Sequence, residues 1–235
     1  MKRAIGWIAG AVVVLGGGAF AWLWFAGGSG EPSTELTAPP IAGAETTLAE
    51  ATGGAISYVI EPGGLSFASF EIDEELQGSP NRVVGETDEV TGQVLVDLDD
   101  LGGTQFSQIV INARTFETDS GRRDRAIRGP VILNSASDEF ELITFDVTSI
   151  AGLSGSASVG DSIDFQLVGG LRIKDTTDAV TFTVTVTVVD EATIEGVAMT
   201  EVLRSDFGIG IPSVPGVANV SDEVVISLSF VATTS

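Results

Sequence analysis

Nine consecutive residues, Val180-Thr181-Phe182-Thr183-Val184-Thr185-Val186-Thr187-Val188, alternate apolar side chains with threonine. In an extended chain this period of two puts every apolar group on one face and every hydroxyl on the other, whereas a helix would scatter them around its circumference. All but Phe182 are β-branched, which disfavours helix and suits a pleated surface. The segment is therefore read as a strand with one buried face. Shorter runs repeat the pattern: Val94, Val96 and Leu98 set against Gln93, Asp97 and Asp99, and Ile226, Leu228 and Phe230 set against Ser227 and Ser229. Turn signals at Pro62-Gly63-Gly64, Gly78-Ser79-Pro80, Asp100-Leu101-Gly102-Gly103 and Pro212 to Gly216 divide the rest into eight to ten strand candidates. Only Ser120 to Arg128, ahead of Pro130, has helical character, enough for one or two turns that could cap one end. The chain is expected to be all-β, closed as a barrel or packed as a sandwich, and the pattern alone leaves both open.

Composition removes most hydrolytic chemistry. The 235 residues include no cysteine and no histidine, so disulfides, the usual zinc sites, Ser-His-Asp triads and Cys-His dyads are all excluded. Any catalysis would fall to carboxylates, Ser/Thr, arginine or Lys174, and no carboxylate pair stands out. Asp97-Leu98-Asp99-Asp100-Leu101-Gly102 begins like a calcium loop, but its fifth position is Leu101 and its twelfth is Gln108, so the bidentate glutamate is missing. Gly208-Ile209-Gly210 lacks the third glycine and following helix of a dinucleotide site. No cofactor, metal or enzymatic activity is expected. With 33 acidic against 11 basic residues the formal charge is -22, which repels nucleic acid.

The N-terminus is expected to be an anchor. Lys2 and Arg3 precede Ala4 to Ala26, 23 residues without a charge, ending in Trp22-Leu23-Trp24-Phe25. That length spans a bilayer, the positive end stays in the cytoplasm, and the tryptophans suit the far interface, so the remainder lies outside the cell membrane. Ala19-Phe20-Ala21 offers the alternative of a cleaved signal peptide and a secreted product. The expected organisation is a single-pass transmembrane anchor at 1–26, a flexible linker at 27–55 and one folded domain at 56–235. The linker is rich in Gly, Ser, Thr, Pro, Ala and Glu and would reach roughly 30 Å.

Within the folded part, several motifs occur in the order found in YceI-like domains, which this chain resembles from about Ser57 to Ala232. They are Tyr58-Val59-Ile60 with Leu65-Ser66-Phe67, Val84-Gly85 leading to Thr91-Gly92-Gln93-Val94, Thr118 with Arg123-Asp124, Thr144-Phe145 and Gly170-Leu171. The most specific is Arg204-Ser205-Asp206-Phe207-Gly208-Ile209 followed by Val220-Ser221-Asp222-Glu223-Val224. The chain departs from the family where Gly64-Leu65-Ser66 replaces a His-Ser, Phe140-Glu141 a Tyr-Pro, and Asp175 to Val180 a Gly-Val-Thr-Arg-Pro-Val. The resemblance implies a lipocalin-like antiparallel β-barrel of about eight strands whose lumen holds a polyisoprenoid.

An eight-stranded barrel has room for side chains or one slender ligand. Phe67, Phe70, Phe116, Phe145, Phe165, Phe182 and Phe207 are the candidate lumen residues, each equally able to be ordinary core. Arg122, Arg123, Arg125 and Arg128 fall within seven residues and are candidates for a phosphorylated head group, ion pairs with the abundant carboxylates being the plain alternative. Arg204 and Asp206 are read as a structural motif, with Asp206 expected to pair with an arginine, Arg204 or Arg123, and Phe207 expected to be buried. The expected function is an extracytoplasmic protein binding an isoprenoid or other long-chain lipid. A β-sandwich adhesion or scaffold module stands as the alternative, and an enzyme using carboxylates as a third.

Overall fold

The computed structural model describes residues 30–41 and 54–234. The alternating pattern folds into twelve strands: β1 (Ile56–Ile60), β2 (Phe67–Leu76), β3 (Ser79–Thr87), β4 (Val90–Asp97), β5 (Asp100–Phe106), β6 (Ile109–Asn112), β7 (Leu142–Ala151), β8 (Ser162–Ile173), β9 (Thr176–Asp190), β10 (Thr193–Leu203), β11 (Val217–Ala218) and β12 (Glu223–Thr234). Eight of them form an antiparallel ring in the order β1-β4-β6-β7-β8-β9-β10-β12, closed where Tyr58 of β1 lies opposite Thr234 of β12. Closure excludes the two-sheet sandwich left open by the sequence. The β2–β3 hairpin joins the ring through β12, with Phe67 to Glu71 opposite Ser229 to Val225, while β5 extends β4 and β11 extends β2.

In the alternating segment, now β9, Val180, Phe182, Val184 and Val188 are buried while Thr181, Thr183 and Thr185 face solvent. Large rings are accommodated by glycines in register with them. A Cβ on Gly85 would overlap the ring of Phe70, its cross-strand partner, and one on Gly196 would overlap the Thr185 carbonyl and Phe230. The absent side chain lets each ring lie across the neighbouring strand. Two turn assignments shift. The β2–β3 reversal is Gln77-Gly78, with φ of 52° and 79° as a tight two-residue hairpin requires, so Ser79-Pro80 opens a strand. Asp100 to Gly103 likewise belongs to β5, because the chain has already turned at Leu98-Asp99, where Asp97 Oδ1 accepts the Asp99 N–H at 3.0 Å.

The registers define two poles. β6 ends and β7 begins side by side (Asn112 opposite Leu142), β8 ends where β9 begins (Ile173 opposite Thr176), and β10 ends where β12 begins (Leu203 opposite Glu223). This pole, the mouth, carries the long connections. Residues 113–141 form a 3-10 turn (Ala113–Thr115), helix α1 (Gly121–Arg128) and a second 3-10 turn (Asp138–Phe140). The 205–222 segment crosses the same pole and meets the β2–β3 tip through Val217 opposite Leu76. The opposite pole, the floor, is made by the β4–β5 and β9–β10 reversals and the 152–161 loop.

Residues 30–41, expected to belong to the flexible linker, are instead laid against the mouth pole. Arg114 Nη1 donates to the Glu31 carbonyl at 3.4 Å, and the Ser33 N–H donates to Glu141 Oε1 at 2.7 Å, with the Ser33 hydroxyl on the same carboxylate. Leu36 and Ile41 are buried. A polar composition fails to disorder this stretch because its own two apolar side chains are buried and the buried Glu141 carboxylate receives it. Among the described residues no helix is long and apolar enough to cross a membrane, and the expected span at 4–26 lies outside them.

Candidate functional site: an apolar cavity with a charged mouth

A cavity of about 610 Å³ runs through the barrel, within the usual range for a small-molecule site. Leu101, Leu153 and Ile194 line it near the floor, and Ile127, Phe207 and Ile211 near the mouth. Six of the seven expected aromatics, Phe70, Phe116, Phe145, Phe165, Phe182 and Phe207, reach its wall, and Phe207 is buried as expected. Phe70 meets Phe116 edge-on with centroids 5.4 Å apart, and Phe145 meets Phe182 in the same way at 4.9 Å.

Phe67 does not belong to the site: it is 43% exposed, on the face of β2 opposite Ala68 and Phe70. The reason was present in the sequence, since residues three apart on a regular strand cannot share a face. Phe106 and Phe230 also line the cavity and were not among the candidates. Phe230 continues the Ile226-Leu228 alternation and was accessible to that logic. Phe106 was not, because β5 pairs with β4 across a register shift between Leu95 and Asp97 that resets its phase.

The only charged side chains in the wall, among the described residues, are Glu74, Arg122, Arg123 and Arg204, all at the mouth. Helical geometry splits the four-arginine cluster. At 100° per residue, Arg122, Arg123, Ala126 and Ile127 share the face of α1 that lines the cavity, while Arg125 and Arg128 fall on the other side. Arg125 is therefore not part of the wall. Arg128 is buried outside it and donates to the Phe116 carbonyl at 3.3 Å, and burial lowers its pKa. Arg123 pairs with the buried Glu74 at 3.3 Å and with Asp119, and Glu74 also accepts Asn81 Nδ2 at 2.9 Å. The helix is positioned by Asp124, whose Oδ1 accepts the Thr118 N–H at 2.9 Å and its hydroxyl at 2.6 Å.

Arg204 closes the 205–222 segment on itself, donating to the Ser221 and Ile209 carbonyls at 2.9 Å each. Its acid is Asp222 at 3.7 Å, not the expected Asp206. Leu203 lies opposite Glu223, which brings Asp222 alongside Arg204, whereas Asp206 sits exposed in the turn that follows β10. Among the described residues no cluster of acidic side chains could hold a metal ion.

A closed antiparallel barrel with a largely apolar lumen, charged at one pole only, is a lipocalin-like fold. Residues 58–232 match the YceI-like domain model, more than half of the chain, and the protein belongs to that family. No curated protein sequence matches it. Among solved structures, Burkholderia cenocepacia BcnA superposes with a TM-score of 0.54 at 24% identity, over 72% of this chain and 96% of that one. A domain from Saccharophagus degradans, described as polyisoprenoid binding and implicated in plant cell wall breakdown, gives 0.56 at 12% identity, over 77% and 99%. A Campylobacter jejuni YceI protein gives 0.50 at 13% identity, over 64% and 84%.

Proposed function

We propose that the barrel carries a polyisoprenoid or similarly long apolar lipid outside the cytoplasmic membrane, with the chain in the lumen and the head at the mouth. The observation that carries this reading is the distribution of charge around the cavity. An apolar guest is favoured at about 25 cal/mol per Å² of apolar area buried, so the floor end rewards chain length. Glu74, Arg122, Arg123 and Arg204 offer both donors and an acceptor to a head group at the other end. Of the four arginines expected to meet a phosphorylated head, Arg122 and Arg123 have the necessary position. The binding attributed to the Saccharophagus degradans domain supports the same ligand class. The domain acts by binding and not by catalysis, and residues 4–26 anchor it to the membrane with the barrel on the outer side.

The test is mass spectrometry of an organic extract of the protein purified from its own host, followed by titration of the delipidated protein with isoprenoids of increasing length. A co-purified isoprenoid and affinity rising with length are the expected results, with saturated fatty acids binding more weakly. Absence of both would remove the carrier reading.

A further inference from the structure

The contact between residues 30–41 and the mouth has a geometric consequence for where the cavity opens. Gly30 packs against the Arg128 guanidinium, where a Cβ would come within 3.0 Å of it, and Glu31 and Ser33 are held by Arg114 and Glu141. From Ala26, the last residue of the apolar stretch, to Gly30 is four residue steps, at most about 14 Å of extended chain. Strand β9, fifteen residues long, rises roughly 50 Å, or about 38 Å along the axis of a barrel tilted near 40°. The leash is therefore much shorter than the barrel, and it is attached at the mouth.

We propose that the barrel stands with its mouth against the bilayer that anchors it, the 205–222 segment lying in the lipid interface as a flap, so that a lipid passes between bilayer and lumen without crossing water. The inference rests on the anchor reading given above. Two further observations point the same way. The flap reads Gly-Ile-Gly-Ile-Pro-Ser-Val-Pro-Gly-Val over 208–217, and its Ile211, Pro212 and Val214 line the cavity while remaining only half-buried. Leu76, beside it on the β2–β3 tip, is 39% exposed. An apolar cover of this kind is costly toward water and favourable toward a membrane interface.

The cations are confined to one pole. All nine lysines and arginines of the described residues lie toward the mouth: Arg114 and the four arginines of α1 in the 113–141 connection, Arg172 and Lys174 at the β8–β9 reversal, Arg204 at the end of β10, and Arg82 opposite Asp73 near the β2–β3 tip. The floor carries Asp97, Asp99, Asp100, Asp161, Asp190 and Glu191 with no cation among them. The mouth segments carry carboxylates as well, so the mouth presents mixed charge to a leaflet where the floor presents carboxylates alone.

The experiment uses the full chain reconstituted in phosphatidylcholine/phosphatidylglycerol vesicles that contain a headgroup-proximal spin-labelled lipid. The protein has no cysteine, so single labels can be placed without background. Ser213→Cys and Leu76→Cys report the mouth, and Val159→Cys and Ala192→Cys report the floor; two sites per pole guard against a variant that fails to fold. Strong quenching of both mouth fluorophores with floor fluorophores at their lipid-free intensity is the expected result. Equal quenching at both poles, or quenching confined to the floor, would overturn the orientation. A chain that does not float with the vesicles would overturn the anchor reading and this inference together, whereas a chain that floats with unquenched mouth labels overturns the orientation alone.

Discussion

The two poles of the barrel are closed in different ways. The floor is sealed by main-chain hydrogen bonds: the Leu101 N–H to the Gly155 carbonyl at 2.8 Å, Ala157 to Leu98 at 2.8 Å, Gly160 to Val188 at 2.7 Å and Thr234 to Ala192 at 2.9 Å. Its one buried phenol, Tyr58, also donates to a main-chain carbonyl, that of Glu191, at 3.1 Å. The mouth has main-chain bonds of its own, among them the Ala113 N–H to the Glu141 carbonyl at 2.7 Å, Gln77 to Gly216 at 2.7 Å and Ser221 to Asp73 at 2.8 Å. It adds side-chain clasps to them, with Arg204 holding the flap, Asp124 fixing α1 and Glu141 receiving the 30–41 strap. Main-chain closure is largely independent of residue type and is lost only when the fold is lost. A side-chain clasp can be loosened locally at a fraction of the global stability. On the proposed carrier reading, the mouth is then the end at which the ligand enters and the floor the end against which its length is measured.

The largest effect is expected where the clasp meets the core. Phe207 is 1% exposed and roofs the cavity beneath the flap. Truncating it in Phe207→Ala should cost about 3 to 5 kcal/mol, as for other buried phenylalanines. A denaturant midpoint equal to that of the unmodified protein would show that the mouth is not packed as described. Next comes the strap. Glu141 is 3% exposed and accepts from Ser33, from Asn112 Nδ2 at 2.8 Å and pairs with Arg114 at 3.3 Å. Arg114 keeps Asp138 and the Ser135 carbonyl when that carboxylate is removed, so Glu141→Ala should cost about 1 to 3 kcal/mol, the penalty for buried partners left unmade. Glu141→Gln should cost less. Hydrogen exchange at residues 33–41 should rise in the alanine variant while the floor amides stay protected, and protection lost equally at both poles would break the distinction between them.

How far the sequence anticipated these two ends follows from what each is made of. The ring and its inward face were legible because period two is a local property, as in Val180 to Val188, and α1 was legible from Ser120 and Pro130. Phe207 was placed correctly by a motif. The division of Arg122 and Arg123 from Arg125 and Arg128 needed the helix phase relative to the lumen, which the surrounding barrel sets. The strap was illegible for a related reason. Nothing in residues 30–41 marks them as ordered, because the carboxylate that orders them stands at position 141, more than a hundred residues away. The exchange of Asp206 for Asp222 was hidden by a shorter separation, because only the pairing of β10 with β12 brings Asp222 alongside Arg204.

A smaller effect is expected at the floor. Leu153 is half-buried and lines the far end of the cavity, so Leu153→Phe can grow into the lumen with a stability change of about 1 kcal/mol or less. It should leave binding of short isoprenoids unaffected and weaken the longest ones. The paired variant Arg123→Gln, at the mouth, should shift head-group preference without altering dependence on length. If titration shows both variants changing the same property, head and tail are not sorted between the poles.

The smallest effect is a pH dependence confined to the strap, and its sign differs between two carboxylates. Burial works to raise the Glu141 carboxyl, but the Ser33 hydroxyl and N–H, the Asn112 amide and the Arg114 charge outweigh it and hold the pKa below the ordinary glutamate value. A folded-state pKa below the unfolded one gives stability that is present above the unfolded value and is lost as pH falls through the folded one. Glu89 behaves oppositely: burial, then Asp88 and then Glu35 of the strap, push its pKa up. Its protonated form is favoured in the folded state, so the stability it contributes is fully present below the unfolded value and is lost as pH rises through the raised one. On acidification from neutral pH, Glu89 takes up its proton first and relieves the repulsion with Glu35. Glu141 follows at lower pH and releases Ser33. Strap attachment should therefore pass through a maximum in mildly acidic solution. Anisotropy of a fluorophore on Thr37→Cys, exposed in the middle of the strap, measures this directly. A Glu89→Gln variant should flatten the rise on the neutral side and keep the loss on the acid side. A monotonic profile in the unmodified strap, or a Glu89→Gln profile identical to it, would show that the two carboxylates do not act on the strap in opposite directions.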